Sequence, residues 1–187
     1  MDRELLNKLV VWLRRHKPGT IVNIRNFMLY LLSAFGIVPL TATLSARVLR
    51  KGGKVEDLGV VSTHAVTDAF VAYLVDSLQS TEADWVNFKY HDSGTGTNVE
   101  AAADTALQTP CGEARDMGTQ IEGATANIYK SVATSTYAAP GFAITEHGLF
   151  NAAAAGTLMD RSVFAAINVA PGDKIEFSYS LSCTSGG

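Results

Sequence analysis

From Ile175 to Cys183 every second residue is apolar: Ile175, Phe177, Tyr179, Leu181 and Cys183 alternate with Glu176, Ser178, Ser180 and Ser182. A period of two puts one set of side chains on a core and the other toward water, so this run predicts a strand in an antiparallel sheet with one wet face. Pro171, Gly172 and Asp173 stand before it and predict a turn, since Pro pre-sets φ while Gly and Asp tolerate the backbone angles of the later turn positions. Residues 142–150 and 157–169 read as two further strands around a small-residue loop at 151–156.

The same logic runs backward along the chain. Residues 128–137 carry Tyr129, Val132, Thr134, Thr136 and Tyr137, all β-favouring side chains. Val86, Phe88 and Tyr90 alternate with Asn87 and Lys89, which predicts a strand from Trp85, and residues 91–97 (HDSGTGT) predict a surface loop whose glycines supply freedom in φ. Residues 99–118, rich in Ala and turn formers, predict a long irregular excursion of the kind that binds something or sits at an interface. A helix is expected over about residues 63–79, capped by Thr63, with Val66, Ala69, Phe70, Tyr73, Leu74 and Leu78 on its apolar face. Strands without helices between them predict a mainly β chain, an antiparallel sandwich or jelly-roll-like body over residues 59–187.

Residues 1–58 are different in kind. They hold ten Lys/Arg against four Asp/Glu, whereas the rest holds five against fourteen. With only this short part basic, nucleic acid is not an expected partner. Residues 2–17 read as an amphipathic helix ending in Arg14, Arg15, His16 and Lys17 and stopped by Pro18 and Gly19. Residues 26–46 form a 21-residue stretch without formal charge. Pro39 and interspersed polar residues favour two shorter helices buried against protein over a membrane span. The expected organisation is a helical arm over residues 1–58, bounded by the loop at 51–54, used for docking or oligomerisation because its apolar surface needs a cover. Its expected contact residues are Leu5, Leu9, Trp12, Leu13, Arg14, Arg15, Phe27, Tyr30 and Phe35.

No catalytic constellation is legible. Glu146 and His147 are neighbours on a predicted strand and point to opposite faces. HDSGTGT lacks the Lys and helix of a phosphate loop and the third Gly of a dinucleotide site. His91, Asp92 and Ser93 are sequence neighbours, whereas a triad is assembled from separate elements. Asp160 and Arg161 read as an exposed ion pair or subunit contact, worth at most about 1 kcal/mol. Cys111 and Cys183 make no metal motif and read as ordinary thiols. The expectation is a non-enzyme with no catalytic residue, cofactor or metal.

HDSGTGT (91–97), ADTAL (103–107), GTQIEGATANIYKSVAT (118–134), AITEHGLFNAAAAGTLMDRSVF (143–164) and INVAPGDKIEFSYSL (167–181) resemble a module of tailed-bacteriophage structural proteins, over about residues 85–187. The pattern I-x-E-x-G-L-F, small residues, G-x-L-x-x-R, from Ile144 to Arg161, is also similar to segments of phage tail-fibre proteins. The resemblance implies a virion part, assembled in the host cytoplasm in many copies, often trimers, with the major capsid protein or other virion proteins as partners. The leading expectation is a capsid decoration (cement) protein or head-fibre base, held to the shell by its arm. A second reading is a tail or neck fibre protein whose loops make contacts through His91, Asp92, Thr95, Asn98 and Asn151. A third, from another class, is a binding domain anchored in a membrane by residues 24–46.

Overall fold

The computed structural model describes residues 40–64, 66–79, 84–138 and 140–183, in which Leu40–Ser182 form one compact unit. The elements in order are β1 (Leu40–Leu49), β2 (Val55–His64), α1 (Asp68–Gln79), a 3-10 turn (Asp84–Asn87), β3 (Tyr90–Gly94), β4 (Asp116–Met117), β5 (Thr119–Glu122), β6 (Ile128–Thr136), β7 (Phe142–Phe150), β8 (Leu158–Val169) and β9 (Lys174–Cys183). They build two antiparallel sheets, one ordered β2-β1-β9-β6-β5 and the other β4-β3-β7-β8, in a mainly β sandwich with a single helix among the described residues.

The alternation that predicts β9 is what the core uses. Ile175, Phe177, Tyr179 and Leu181 are buried, as are Ala42, Leu44, Ala46 and Val48 on the neighbouring β1. β6 and β9 pair without interruption from Ile128↔Ser182 to Thr136↔Lys174. Met159, Ile167, Leu149 and Ile144 answer from the other sheet. At the turn before β9, Gly172 takes φ 88°, a conformation that favours glycine. Asp173 there accepts from the amides of Lys51 and Ala170 and from Arg50, which holds its carboxyl down at about 2.

Four expectations are corrected. Residues 40–58 are not arm: β1 and β2 form a hairpin of the body, and residues 51–54 are its turn rather than a boundary between arm and body. A cut at Leu58 would therefore remove β1, which lies between β2 and β9. Thr63 sits in β2, and the cap of α1 is Thr67, whose Oγ1 accepts from the amide of Phe70 (3.2 Å) and donates to the carbonyl of Leu158 (2.5 Å). Asp84–Asn87 is a 3-10 turn, so the strand expected from Trp85 begins only at Tyr90. Finally, residues 91–94 of the expected loop are strand β3, paired with β7 from Tyr90↔Phe150 to Gly94↔Glu146. The helices expected within residues 1–39, and the contact residues assigned to them (Leu5, Leu9, Trp12, Leu13, Arg14, Arg15, Phe27, Tyr30 and Phe35), lie outside the described residues.

Candidate functional site

The sheet β4-β3-β7-β8 is covered on both faces, and β7 faces both ways. Its register with β8 shifts between Ile144 and Glu146. At this irregularity two successive side chains turn outward: Thr145 Oγ1 donates to the carbonyl of Gly96 (2.8 Å), and Glu146 Oε1 accepts from the amide of Gly96 (3.0 Å). A bulge re-aims side chains in this way. His147 then faces the interior, its ring 4.6 Å from that of Phe177.

Glu146 is the hub of the outer face. Oε1 also accepts from the amide of Thr109 (2.6 Å), while Oε2 accepts from the amide of Gln108 (3.0 Å) and from Arg161 Nε (2.8 Å). Burial alone would raise this carboxyl, but the amides of Thr109 and Gln108, the guanidinium and the amide of Gly96 outweigh it and hold it below the ordinary value. Arg161 continues outward, donating from Nη1 to Asp104 Oδ2 (3.0 Å) and from Nη2 to Asn98 Oδ1 (2.6 Å). The excursion over residues 95–110 is thus stapled onto β7 and β8. With four donors on one carboxylate, Glu146 has no lone pair left for general-base work.

This changes the meaning of the glycine-rich stretch. Its Gly96 amide, joined by those of Gln108 and Thr109, does cradle an anion, and that anion is the chain's own Glu146. A Cβ on Gly96 would stand 2.6 Å from Glu146 Oε1, and one on Gly94 2.5 Å from the same atom. Neither glycine takes a positive φ. They are small to admit a carboxylate, not to free the backbone.

Between the sheets lies a second polar group. His91 Nδ1 is 2.9 Å from His147 Nε2, and His91 Nε2 is 2.8 Å from Ser131 Oγ on β6. Tyr137 Oη donates to Ser93 Oγ (3.0 Å) and Tyr129 Oη to the carbonyl of Phe88 (2.5 Å), so a polar seam ties the β6 region to β3 and the residues just before it. The Ser131–His91–His147 connectivity is that of a nucleophile, a base and an orienting group. All three residues have zero exposure, however, and burial pushes His91 down to about 3, far too weak a base for neutral pH.

The remaining sequence candidates fall into place around these groups. His91 faces the core and is no loop contact. Asp92 pairs with Arg115 (3.2 Å), whose guanidinium also lies over the Phe150 ring and donates to the carbonyls of Ala152 and Ala155, fixing the 151–156 loop. The amide of Thr95 donates to Thr109, Asn98 is held by Arg161, and Asn151 Oδ1 accepts from the amide of Thr157. Asp160 and Arg161 are not an exposed pair: both are buried, they point to opposite faces, and Asp160 lies 3.3 Å from the Tyr179 hydroxyl. Cys111 and Cys183 are free thiols.

The open surface is elsewhere. Val71, Val75 and Leu78 form an exposed apolar stripe on α1, opposite the Phe70 and Tyr73 rings that pack edge-on against Phe88. Val55, Leu58 and Val60 are exposed on edge strand β2, and Met117 and Ile121 on β4 and β5. Among the described residues there is no group of three or more His, Cys, Asp or Glu arranged to hold a metal ion, and no helix long and apolar enough to cross a membrane. No protein-family model matches the chain, and neither a curated protein nor a solved structure matches it significantly.

Proposed function

We propose that this chain is a non-enzymatic structural part of a bacteriophage virion, a capsid decoration protein or head-fibre base that docks through residues 1–39 and presents the sandwich outward. The observation that carries the reading is where the chemistry is spent. Every charged group of the Glu146 hub is taken up by contacts that hold loops, the His91 group is sealed, and among the described residues eight of the ten exposed large apolar side chains lie on β2, β4, β5 and α1, surfaces suited to be covered by another protein. The motif that resembles phage fibre segments, Ile144 to Arg161, contains both ends of the central staple. That gives the likeness a physical reason: it is the part that fixes the outer loops. The major capsid protein is the proposed partner, and the basic character of residues 1–39 complements an acidic shell surface.

The test is co-sedimentation with capsids assembled without the protein, using the full chain and a variant carrying Leu9→Asp and Trp12→Asp. Saturable binding of the wild type, lost in the variant, supports the reading. Absence of wild-type binding overturns it in favour of a tail or neck role.

A further inference from the structure

We propose that Gly118 is an acid-operated gate: a proton taken up by His91 lifts the corner formed by β4 and Gly118 off β3 and opens the buried polar seam to water from that side. The device belongs to the sandwich alone and does not depend on what residues 1–39 bind.

Gly118 is the one residue between β4, which ends one sheet, and β5, which ends the other, so the chain changes sheets there. It lies against the seam. A Cβ on it would stand 2.6 Å from Ser131 Oγ and 2.8 Å from His91 Nε2. Its φ is not positive, so, like Gly96, it is glycine for room rather than for backbone freedom. Gly118 is itself buried, but Met117 and Thr119 on either side of it are exposed. On this side a single residue of backbone stands between the His91–Ser131 hydrogen bond and solvent.

The corner is held lightly. β4 pairs with β3 at Tyr90↔Met117 and His91↔Asp116, and Gly118 adds one bond from its amide to the carbonyl of Lys89 (2.7 Å). The chain is fixed on both flanks. Upstream, Arg115 is clasped by Asp92 and by the carbonyls of Ala152 and Ala155; downstream, β5 pairs with β6 from Thr119↔Val132 to Glu122↔Tyr129. Opening is thus confined to residues 116–118 and breaks few contacts, the condition for a local rather than a global event.

A proton supplies the force. The two ring nitrogens of His91 face His147 and Ser131, neither of them a carboxylate. Around them, Asp116 stands opposite His91 on β4, Tyr129 on β6 gives its hydroxyl to the carbonyl of Phe88, and Asp160 on β8 is joined to Tyr179 on β9. Glu146, next to His147, faces the other way. An imidazolium here lacks hydration, which is why burial holds His91 at about 3. Lifting the corner brings water to Nε2 and restores an ordinary histidine, near about 6.5. The open form binds the proton more tightly, so acid raises its population, by about tenfold per pH unit below that value. Glu146, whose carboxyl lies below its ordinary range, keeps the outer loops stapled meanwhile.

Amide hydrogen exchange of the full chain between pH 6.5 and 5, above the carboxylate range, decides the matter. The protection factor of the Gly118 amide is expected to fall about tenfold per pH unit and to be indifferent to low urea, while the amides of β9 stay better protected and respond to urea as global unfolding does. His91→Gln should abolish the pH dependence at Gly118. If that variant misfolds, Gly118→Ala serves instead: its methyl keeps the corner from closing, so the amide at position 118 is unprotected at both ends of the range. A Gly118 amide whose protection does not change with pH, or which exchanges together with β9 at the same urea response, overturns the proposal, as does an unaltered pH dependence in either variant.

Discussion

Arg161 Nε donates to Glu146 Oε2 at 2.8 Å with the two side chains 1% and 0% exposed. Removing one member of such a pair leaves the other charged and buried, which costs about 3–5 kcal/mol. Glu146→Ala should therefore lower the urea midpoint strongly at an unchanged slope. Arg161→Met should do the same, and the double variant should lose much less than the sum, a coupling that a double-mutant cycle measures.

Gly96→Ala sets a methyl 2.6 Å from Glu146 Oε1 and 2.7 Å from Gln108 Cβ. The staple must shift, and overpacking of this kind costs about 1–3 kcal/mol. Gly52→Ala in the β1–β2 turn is the control, since nothing stands within 4 Å of its added Cβ. Equal effects in the two variants, read from urea denaturation, would contradict the role assigned to Gly96.

His91 gives a pH dependence with a definite sign. Its pKa is lowered to about 3 in the native state by burial, against about 6.5 unfolded. Between those values the unfolded chain holds a proton that the native one refuses, so stability falls as pH falls. The slope attributable to His91 approaches about 1.4 kcal/mol per pH unit. Glu146, whose native pKa is lowered, adds its own loss only as pH drops through the carboxylate range. Urea titrations between pH 7 and 5 isolate the histidine limb, and His91→Gln should flatten it.

Thr67→Ala removes both the cap of α1 and the hydroxyl that holds the helix to the carbonyl of Leu158. The loss expected is about 1–2 kcal/mol. Thr67→Ser keeps both contacts and should recover most of it in the same denaturation measurement.

The C-terminal strands are legible because their alternation is complete and their inner residues are large. β1 carries the same period in Ala42, Leu44, Ala46 and Val48, but two of those four are alanines, and the uncharged stretch before it pulls the reading toward helix. The Glu146 staple is legible only in traces. Its partners stand 15 to 50 residues away in sequence, and it faces outward only because the strand is irregular at Thr145. Its traces in the sequence are the two charged positions of the Ile144–Arg161 motif, Glu146 and Arg161, and an unexplained pair of glycines, Gly94 and Gly96, whose small size makes room for a carboxylate placed against them.

β1, the first strand of the body, lies beside β9, the last. On a ribosome the chain must therefore leave one edge of β1 unpaired while more than a hundred residues emerge, with β2 its only strand partner in the meantime. Pairing so distant in sequence is slow to form and exposes edges while it waits. The body thus becomes a sandwich only once β9 has left the exit tunnel, which makes its synthesis an all-or-nothing commitment rather than a progressive assembly.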